Sequence, residues 1–350
     1  MDFTPTEIQR EVTGLAARVL RRPRAVTGYD AALWKELGQA GLLSVTLPGA
    51  LGGDGLGVEA AAALLTEVGR HAPAVPALAT VMTGVLPVTR WGGRALQEKV
   101  LAGVATGATV LTAALREPSR PLPAAPATTA ELAEGGGTVS GVKVGVPYCA
   151  EASWVLVPAS VAGGGSAVVV IDPAQATVTR THASGGEPEY TLRLAATPVA
   201  GVLSGGAVSG LYELALAGAC CLADGALAAA LALTTEHIGT RKQFGRPLAT
   251  FQAAAQHIAD VYIAARTLHL ATVSACWRLA AGQDAGADLD VAAYWLAEHA
   301  LAAMRACHHL HGGLGMDVTY PLARYSALVK DLARLVGGAS YRLDQLAARI

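Results

Sequence analysis

Residues 241–252, RKQFGRPLATFQ, break a long run of helical sequence with a short polar passage. Long helices are expected on either side, over residues 211–240 and from residue 250 to about residue 281, because glycine and proline punctuate the gap between them. Arg241 opens the passage, and its planar guanidinium can hold two phosphate oxygens of a pyrophosphate. A solvated charge at a helix end is the alternative interpretation of the same arginine.

A second glycine-rich passage lies nearer the C-terminus. Residues 310–315 read LHGGLG and lead to the pair Tyr320-Pro321. The glycines of both passages allow backbone N–H groups to approach a phosphate closely, although helix caps use the same residue type. The chain has no GxGxxG after a strand and no GxxxxGK[ST], so a Rossmann unit and a P-loop are excluded. Together the two passages predict a dinucleotide site of another kind.

The texture of the sequence divides the chain into three regions, with boundaries at residues 1–108, 109–200 and 201–350. The first and third regions carry apolar residues at helical spacing. Helices are predicted at residues 8–19, 31–39, 58–69, 76–102 with interruptions, 211–240, 250–281, 288–311 and from about residue 320 onward. The opening MDFTPTEIQR adds an N-cap at Thr4, a proline at the first helical position and Glu7 to close a capping box.

The middle region has the pattern of an antiparallel β domain. Short β-branched runs at residues 144–146, 154–157 and 168–171 are separated by turn-forming glycine, proline and serine. Residues 117–131, rich in proline, alanine and threonine, predict a surface loop. Strands and helices do not alternate and no repeat of fixed period occurs, so doubly wound sheets, solenoids and propellers are excluded.

Composition limits the partners. The chain has 26 basic and 27 acidic side chains and a formal charge of -1, so it has no broad field for nucleic acid or anionic lipid. The most apolar stretch, residues 211–233, contains Glu213 and Asp224 among alanines and glycines, which favours a buried core helix over a membrane span. Five cysteines without paired spacing and an N-terminus without a secretion signal predict reduced thiols in a cytoplasmic protein.

These passages resemble the acyl-CoA dehydrogenase family. The resemblance is carried by residues 241–248 with Phe251-Gln252 and by residues 310–322, and it extends to the opening residues, to residues 33–57 and, more weakly, to residues 139–143. It implies an N-terminal all-α domain, a middle antiparallel β domain and a C-terminal four-helix bundle. It also implies FAD as the cofactor and an acyl-CoA thioester as the substrate.

The resemblance assigns cofactor contacts to individual residues. Arg241, Phe244 and Gln252 match positions that contact the ADP part of FAD bound in the neighbouring subunit, and Gly313 matches another. His309 stands where the family commonly has glutamine, and its ring can still donate one hydrogen bond. The site therefore implies at least a dimer.

The loop at residues 115–118, LREP, is similar to a Thr-Glu-Pro turn whose backbone meets the flavin ring in the family. Leu115 and Arg116 are the candidate contacts in that loop. Two departures lie close to it. The Trp-Ile-Thr strand that many members place against the flavin is replaced by Gly145-Val146-Pro147, and the Gly-Ser-Asp that follows the turn is missing.

The largest departure concerns the catalytic base, because the family removes an α-proton with a glutamate. Matching the sequence after Tyr320 puts Val336 or Gly337 at the common base position. An alternative family position, on the helix before the Arg-Gln-Phe-Gly motif, falls on Ala215. Glu213 is the nearest acid, and it is either a displaced base or a residue that faces solvent or caps the helix.

Three functions remain open at this stage. The chain is half of a mixed assembly in which a second acyl-CoA dehydrogenase chain supplies the glutamate, as in the family members that degrade steroid side chains. Otherwise it is a self-sufficient homomeric dehydrogenase with a displaced base, or a non-catalytic flavin-binding relative. The three histidines in residues 308–311 predict no metal site, because neither HExxH nor CxxC supplies further ligands.

Overall fold

The computed structural model describes residues 3–21, 27–133, 136–203 and 205–349. Contacts within the chain divide these residues into two compact units. One unit contains residues 5–64 and 73–218, and the other contains residues 65–72 and 219–349 together with the first described residues.

The first 102 residues are mainly helical, as the periodicity predicts. The helices are α1 (Glu7–Leu20), α2 (Ala31–Gln39), α3 (Val58–His71), α4 (Leu86–Trp91) and α5 (Arg94–Leu101), with a π-helical turn at Leu78–Val85 before α4. The start of α1 differs from the prediction. Its N-cap is Thr6, whose hydroxyl accepts from the Gln9 N–H at 3.2 Å, while Gln9 Oε1 accepts from the Thr6 N–H at 2.6 Å. The capping box therefore lies two residues later than Thr4.

The middle region forms a sheet, and the predicted runs all fall on its strands. They are β1 (Leu111–Ala113), β2 (Thr129–Ala133), β3 (Gly136–Pro147), β4 (Trp154–Val161), β5 (Ser166–Ile171), β6 (Thr177–Thr181), β7 (Glu189–Pro198) and β8 (Gly201–Leu203). The order is β6-β7-β3-β2-β4-β5-β8, with β1 beside β4. Most pairings are antiparallel as expected, while β1 and β2 pair with β4 in parallel.

The C-terminal region returns to helices. They are α6 (Ala207–Thr240), α7 (Gln252–Ala280), α8 (Gly286–Trp295), α9 (Leu301–His311), α10 (Pro321–Leu335) and α11 (Ala339–Ala347). Two-residue strands β9 (Lys242–Gln243) and β10 (Arg246–Pro247) form a hairpin between α6 and α7. A π-helical turn, Leu296–Ala300, joins α8 to α9, and the 3-10 turn Gly312–Met316 follows α9. The helical N- and C-terminal regions and the middle sheet confirm the predicted fold class.

Helix α6 is a core helix. It has 34 residues and is apolar enough to cross a membrane, but 83% of its most apolar window is buried inside the protein. Glycine lets it approach α3 closely: a Cβ on Gly225 would collide with the Thr66 carbonyl, and one on Gly69 would collide with the Leu222 carbonyl. Backbone therefore meets backbone at this crossing, and burial explains the apolar composition of α6.

All five cysteines are buried and free. The Sγ atoms of Cys221 and Cys276 lie 3.6 Å apart, and neighbouring Cys220 is buried as well. Burial raises the pKa of the Cys149 thiol to about 12 and raises that of Cys307. The thiols act as small apolar side chains in the core.

We expect Gly225→Ala to destabilise the protein by about 1 to 3 kcal/mol, because the added methyl must displace backbone rather than a flexible side chain. Gly239→Ala is the matched control on the same helix, since a Cβ there meets nothing within 4 Å. That substitution should stabilise the helix by up to about 1 kcal/mol. Denaturant unfolding of both variants measures the difference, and equal effects at the two positions would show that the crossing tolerates a side chain.

Candidate functional site

A cleft of about 810 Å³ lies where α6 ends, and the β9–β10 hairpin, the start of α7 and the turn after α9 complete its walls. Four of the residues predicted to contact the cofactor line it, namely Arg241, Phe244, His309 and Gly313. Gln252 does not line the cleft; it is the exposed first residue of α7. The two sequence passages that predicted a dinucleotide site thus meet around one concave surface.

Phe244 occupies the tip of the hairpin. Pairing of Gln243 with Arg246 leaves a two-residue turn, Phe244-Gly245, and both turn residues have positive φ, +51° and +79°. This geometry matches the turn that short hairpins prefer, which favours glycine or asparagine at both places. A phenylalanine with positive φ is strained, and its side chain is 92% exposed. Backbone strain of this kind is found mostly at functional positions, such as residues that contact a ligand.

Arg241 follows the last residue of α6, and two backbone hydrogen bonds fix its position at the helix end. Its N–H donates to the His237 carbonyl at 2.8 Å, and its carbonyl accepts from the Leu248 N–H at 2.9 Å. Arg241 is exposed and forms no ion pair with any residue that the structure describes. Its guanidinium remains available to an anion in the cleft.

Imidazole rings form part of the cleft wall. His237 and His311 stack with ring centroids 4.4 Å apart and planes at 20°, and His257 meets His309 edge to face at 5.3 Å. Burial lowers the pKa of His237, and the neighbouring His311 and Arg241 lower it further. Burial also lowers the pKa of His311. The stacked pair is therefore neutral at physiological pH.

The glycine turn after α9 is held in shape by His308. The His308 ring donates from Nδ1 to the Gly315 carbonyl at 2.7 Å. A Cβ on Gly315 would lie 2.7 Å from the His308 carbonyl, so only glycine fits there. Gly312 has φ +59°, which is also unfavourable for other residues. The backbone around Gly313 is consequently fixed where it borders the cleft.

Leu115 and Arg116 belong to the other unit and follow strand β1. Leu115 is buried, so its backbone rather than its side chain is the part available for contact. The Arg116 carbonyl accepts from the Val144 N–H at 3.0 Å. Gly145 has φ +64°, and a Cβ there would lie 2.6 Å from Arg116 Nη1. Gly145, which the resemblance matches to a family tryptophan, thus makes room for the guanidinium.

A buried ion pair ties this loop to strand β3. Lys143 Nζ donates to Glu117 Oε1 at 2.9 Å, and both side chains are at most 2% exposed. Glu117 also accepts from the backbone N–H groups of Ala127 and Thr128. Burial alone would raise the pKa of Glu117, but these hydrogen bonds outweigh burial and lower it to about 2. The prediction of a surface loop for residues 117–131 is therefore wrong at Glu117 and Thr128, which are buried, and β2 already begins at Thr129.

Neither residue at the common base position is placed to carry a carboxylate. Val336 ends α10 and is fully buried. Gly337 has φ +93°, and the bonds from Gly337 to Arg334 and from Gly338 to Ala333 close the helix end. This is the glycine cap that many helices use. Glu213 is half-buried on α6, whereas Ala215 is buried, and the proposed role of Glu213 as a base stays a prediction.

In the part of the chain that the structure describes, no three His, Cys, Asp or Glu side chains are grouped to hold a metal ion. The site residues that sequence reasoning missed are His237, His257 and His311, which all line the cleft. His237 lies four residues before Arg241, one helical turn away, so the spacing contains a usable signal. His257 and His311 join the cleft only through contacts between separate elements.

Comparison with known proteins gives consistent matches. The family model for the acyl-CoA dehydrogenase N-terminal domain matches residues 5–108, and the model for the C-terminal domain of the same family matches residues 213–350. Acyl-CoA dehydrogenase FadE28 of Mycobacterium tuberculosis is 46% identical over 353 residues, covering 100% of this chain and 99% of that protein. Acyl-CoA dehydrogenase FadE27 of the same organism is 31% identical over 376 residues, with 99% and 98% covered.

Two solved structures share the fold over nearly the whole chain. A chain of the Tcur3481-Tcur3483 steroid ACAD, crystallised as a variant, has a TM-score of 0.92 at 34% identity and covers 99% of this chain and 98% of its own. A chain of the ChsE4-ChsE5 complex from Mycobacterium tuberculosis has a TM-score of 0.90 at 30% identity, with 100% and 98% covered.

We expect Lys143→Met to destabilise the protein by about 3 to 5 kcal/mol, because it leaves the Glu117 carboxylate buried without its cation. The double variant Lys143→Met with Glu117→Gln should recover much of that loss, since no buried charge remains. Urea unfolding measures both, and a double variant no more stable than the single one would contradict the pairing.

The same pair predicts a pH dependence. The pKa of Glu117 in the folded protein, about 2, lies below its ordinary value of 4.5, so its contribution to stability is complete above about pH 4.5 and is lost as pH falls towards 2. The free energy of unfolding of the wild type should fall more steeply through this window than that of Glu117→Gln. Parallel curves for the two proteins would refute the assignment.

Proposed function

Because the chain belongs to the acyl-CoA dehydrogenase family, we propose that it is the FAD-binding, base-lacking subunit of a mixed assembly that desaturates acyl-CoA thioesters. The observation that carries the proposal is the coexistence of a cleft fitted to a dinucleotide and a helix end that closes the base position. A relative that matches this chain over nearly its whole length supports the mixed assembly, because its crystal structure is that of a ChsE4-ChsE5 complex.

The residues of the cleft fit the ADP part of FAD. Arg241 supplies an unpaired guanidinium, and the backbone around Gly313 offers N–H groups, which together suit a pyrophosphate. Aromatic side chains on the hairpin and at the N-cap of α7 suit an adenine ring: the Phe244 and Phe251 rings meet edge to face at 6.2 Å. The walls are also free of carboxylates, so an anion meets no like charge in the lining.

Apolar side chains at the rim support a partner chain. Leu314 is 41% exposed, Met316 78% and Val318 85%. The first two lie in the glycine turn that borders the cleft, and Val318 follows it. Phe244 adds a fourth exposed apolar side chain from the hairpin. Exposed apolar side chains gathered near a site are typical of a surface that another protein covers. We assign this surface to a second acyl-CoA dehydrogenase-type chain, which also supplies the catalytic carboxylate.

Each part of this chain has a defined task in the proposed reaction. FAD, when bound, supplies the acceptor for the hydride that leaves the β-carbon of the acyl group. Arg241 and the glycine turn hold the pyrophosphate, while the pair Lys143-Glu117 keeps the loop with Leu115 and Arg116 in place for the flavin ring. Val336 and Gly337 contribute no proton transfer, so the α-proton goes to a carboxylate of the partner.

We also propose a substrate, a cellular location, a division into three regions and two further contacts to ADP. A substrate whose acyl group is the side chain of a steroid is supported by the relative described as a steroid ACAD. Location in the cytoplasm is supported by five buried, free thiols. The three-region division at residues 1–108, 109–200 and 201–350 follows the change from helix to sheet and back. Gln252 and His309 complete the set of ADP contacts in the proposal.

One observation favours a second candidate, a homomeric dehydrogenase that contains its own base. Glu213 is half-buried on α6 rather than fully exposed. In that case the chain would need no second type of subunit, and Glu213 would take the α-proton.

We expect Arg241→Ala to reduce FAD retention about ten- to a hundredfold while leaving thermal unfolding nearly unchanged, because α6 forms without the guanidinium but the pyrophosphate loses a charge-assisted partner. Lys242→Ala is the matched control, an exposed neighbouring cation outside the cleft lining. Flavin content after dialysis measures retention, and equal retention in the two variants would remove Arg241 from the site.

The purified chain alone should leave its flavin oxidised when mixed anaerobically with acyl-CoA thioesters, because loss of a general base reduces turnover by about 10² to 10⁴-fold. Co-expression with a second acyl-CoA dehydrogenase-type chain that forms the mixed assembly should restore rapid bleaching. If the homomeric protein bleaches rapidly and Glu213→Gln abolishes that bleaching, the homomeric candidate replaces the mixed assembly.

A further inference from the structure

His311 is one of the residues that line the dinucleotide cleft, and the residue is 5% exposed. Its Nε2 atom is buried without a hydrogen-bond partner among the residues that the structure describes. A buried polar atom left in this state is unfavourable, and most such atoms in proteins find a partner. A ligand in the cleft is therefore the natural source of that partner.

The other ring nitrogen determines what kind of partner fits. Nδ1 lies 2.8 Å from the Cys307 carbonyl, and a carbonyl oxygen only accepts, so Nδ1 carries the proton. The pKa of His311 is lowered by burial, which keeps the ring neutral. A neutral ring protonated at Nδ1 presents a lone pair at Nε2. The position is consequently an acceptor, and it rejects an ionised phosphate oxygen, which also only accepts.

The ring is fixed in orientation as well as in protonation. His237 stacks on it at 4.4 Å, and the Tyr320 ring lies 5.2 Å away. Together with the bond to Cys307, these contacts leave the imidazole little freedom to turn. An acceptor that is held in one direction discriminates between ligands that place a donor there and ligands that do not.

From this geometry we propose that His311 is a specificity-determining contact that accepts a hydrogen bond from a neutral donor of the adenosine moiety, while Arg241 and the glycine turn take the phosphates. The inference rests on the proposed FAD-binding function. The donor is a ribose hydroxyl or the adenine amine, since these are the uncharged donors of an adenine nucleotide. His237 acts through His311 as a positioning residue, because it contributes the stacking that orients the ring.

Nucleotide analogues test the proposal in the full chain, purified with its partner where one co-purifies and freed of flavin. Binding of ADP, 2′-deoxy-ADP, 3′-deoxy-ADP and inosine diphosphate is compared by titration calorimetry. We expect one of the three analogues to bind the wild type about three- to tenfold more weakly than ADP, because that analogue loses one hydrogen bond. The analogue affected identifies the hydroxyl or the amine as the donor.

Variants then connect that discrimination to His311. His311→Phe keeps a ring for the stack, and it should weaken ADP by the same factor while binding the affected analogue as the wild type does. His311→Gln, which retains an acceptor, should restore part of the preference. Arg241→Ala should weaken all four nucleotides alike. Thermal unfolding checks that each variant folds.

Equal binding of all four nucleotides by the wild type overturns the inference whatever the variants do. So does a preference that survives unchanged in His311→Phe. Failure of the wild type to bind ADP or FAD in any form of the assembly is a different result, because it refutes the proposed function itself and the inference with it.

Discussion

Helix α6 is apolar on every side, and a helix of this kind is stable only where other elements surround it. That requirement explains why glycine occupies its crossing with α3, where Gly69 and Gly225 let the two backbones meet. It also determines where polar chemistry becomes possible. Towards the C-terminal end of the helix more polar side chains reach the surface, and His237 on α6 and Arg241 just after it border the cleft.

The sequence predicted those features that depend on local pattern. Most helices and the strand runs follow from periodicity and turn residues close in sequence. The last predicted helix, from about residue 320, is an exception, because it is two helices, α10 and α11. The displaced capping box at Thr6 shows the limit of that reasoning, because Thr4 and Thr6 offer nearly the same motif two residues apart. Only the hydrogen bonds of the folded chain select one of them.

Features that depend on distant contacts were not predictable in this way. Glu117 lies in a proline-rich, polar stretch that reads as surface, yet Lys143 and two backbone N–H groups compensate its burial. Gly145 looked like a loss of a flavin-packing residue, and the structure shows that it accommodates Arg116. The imidazole stack joins α6 to α9 across more than seventy residues of intervening sequence, about two helices apart, so no short motif contains it.

The burial of all five thiols has a practical consequence for work on this protein. A thiolate is the reactive form. Burial raises the pKa of the Cys149 thiol to about 12, and the hydrogen bond with Cys276 together with burial raises the pKa of Cys221 well above its ordinary value. Alkylating reagents therefore meet almost no reactive sulfur in the folded chain. Cys149 lies in the unit that holds the sheet, and the other four lie in the unit that holds α7 to α11. The alkylation rate of each cysteine therefore reports how often the structure around it opens locally. Mass spectrometry can measure these rates for the two units separately, because each unit contains its own native cysteines.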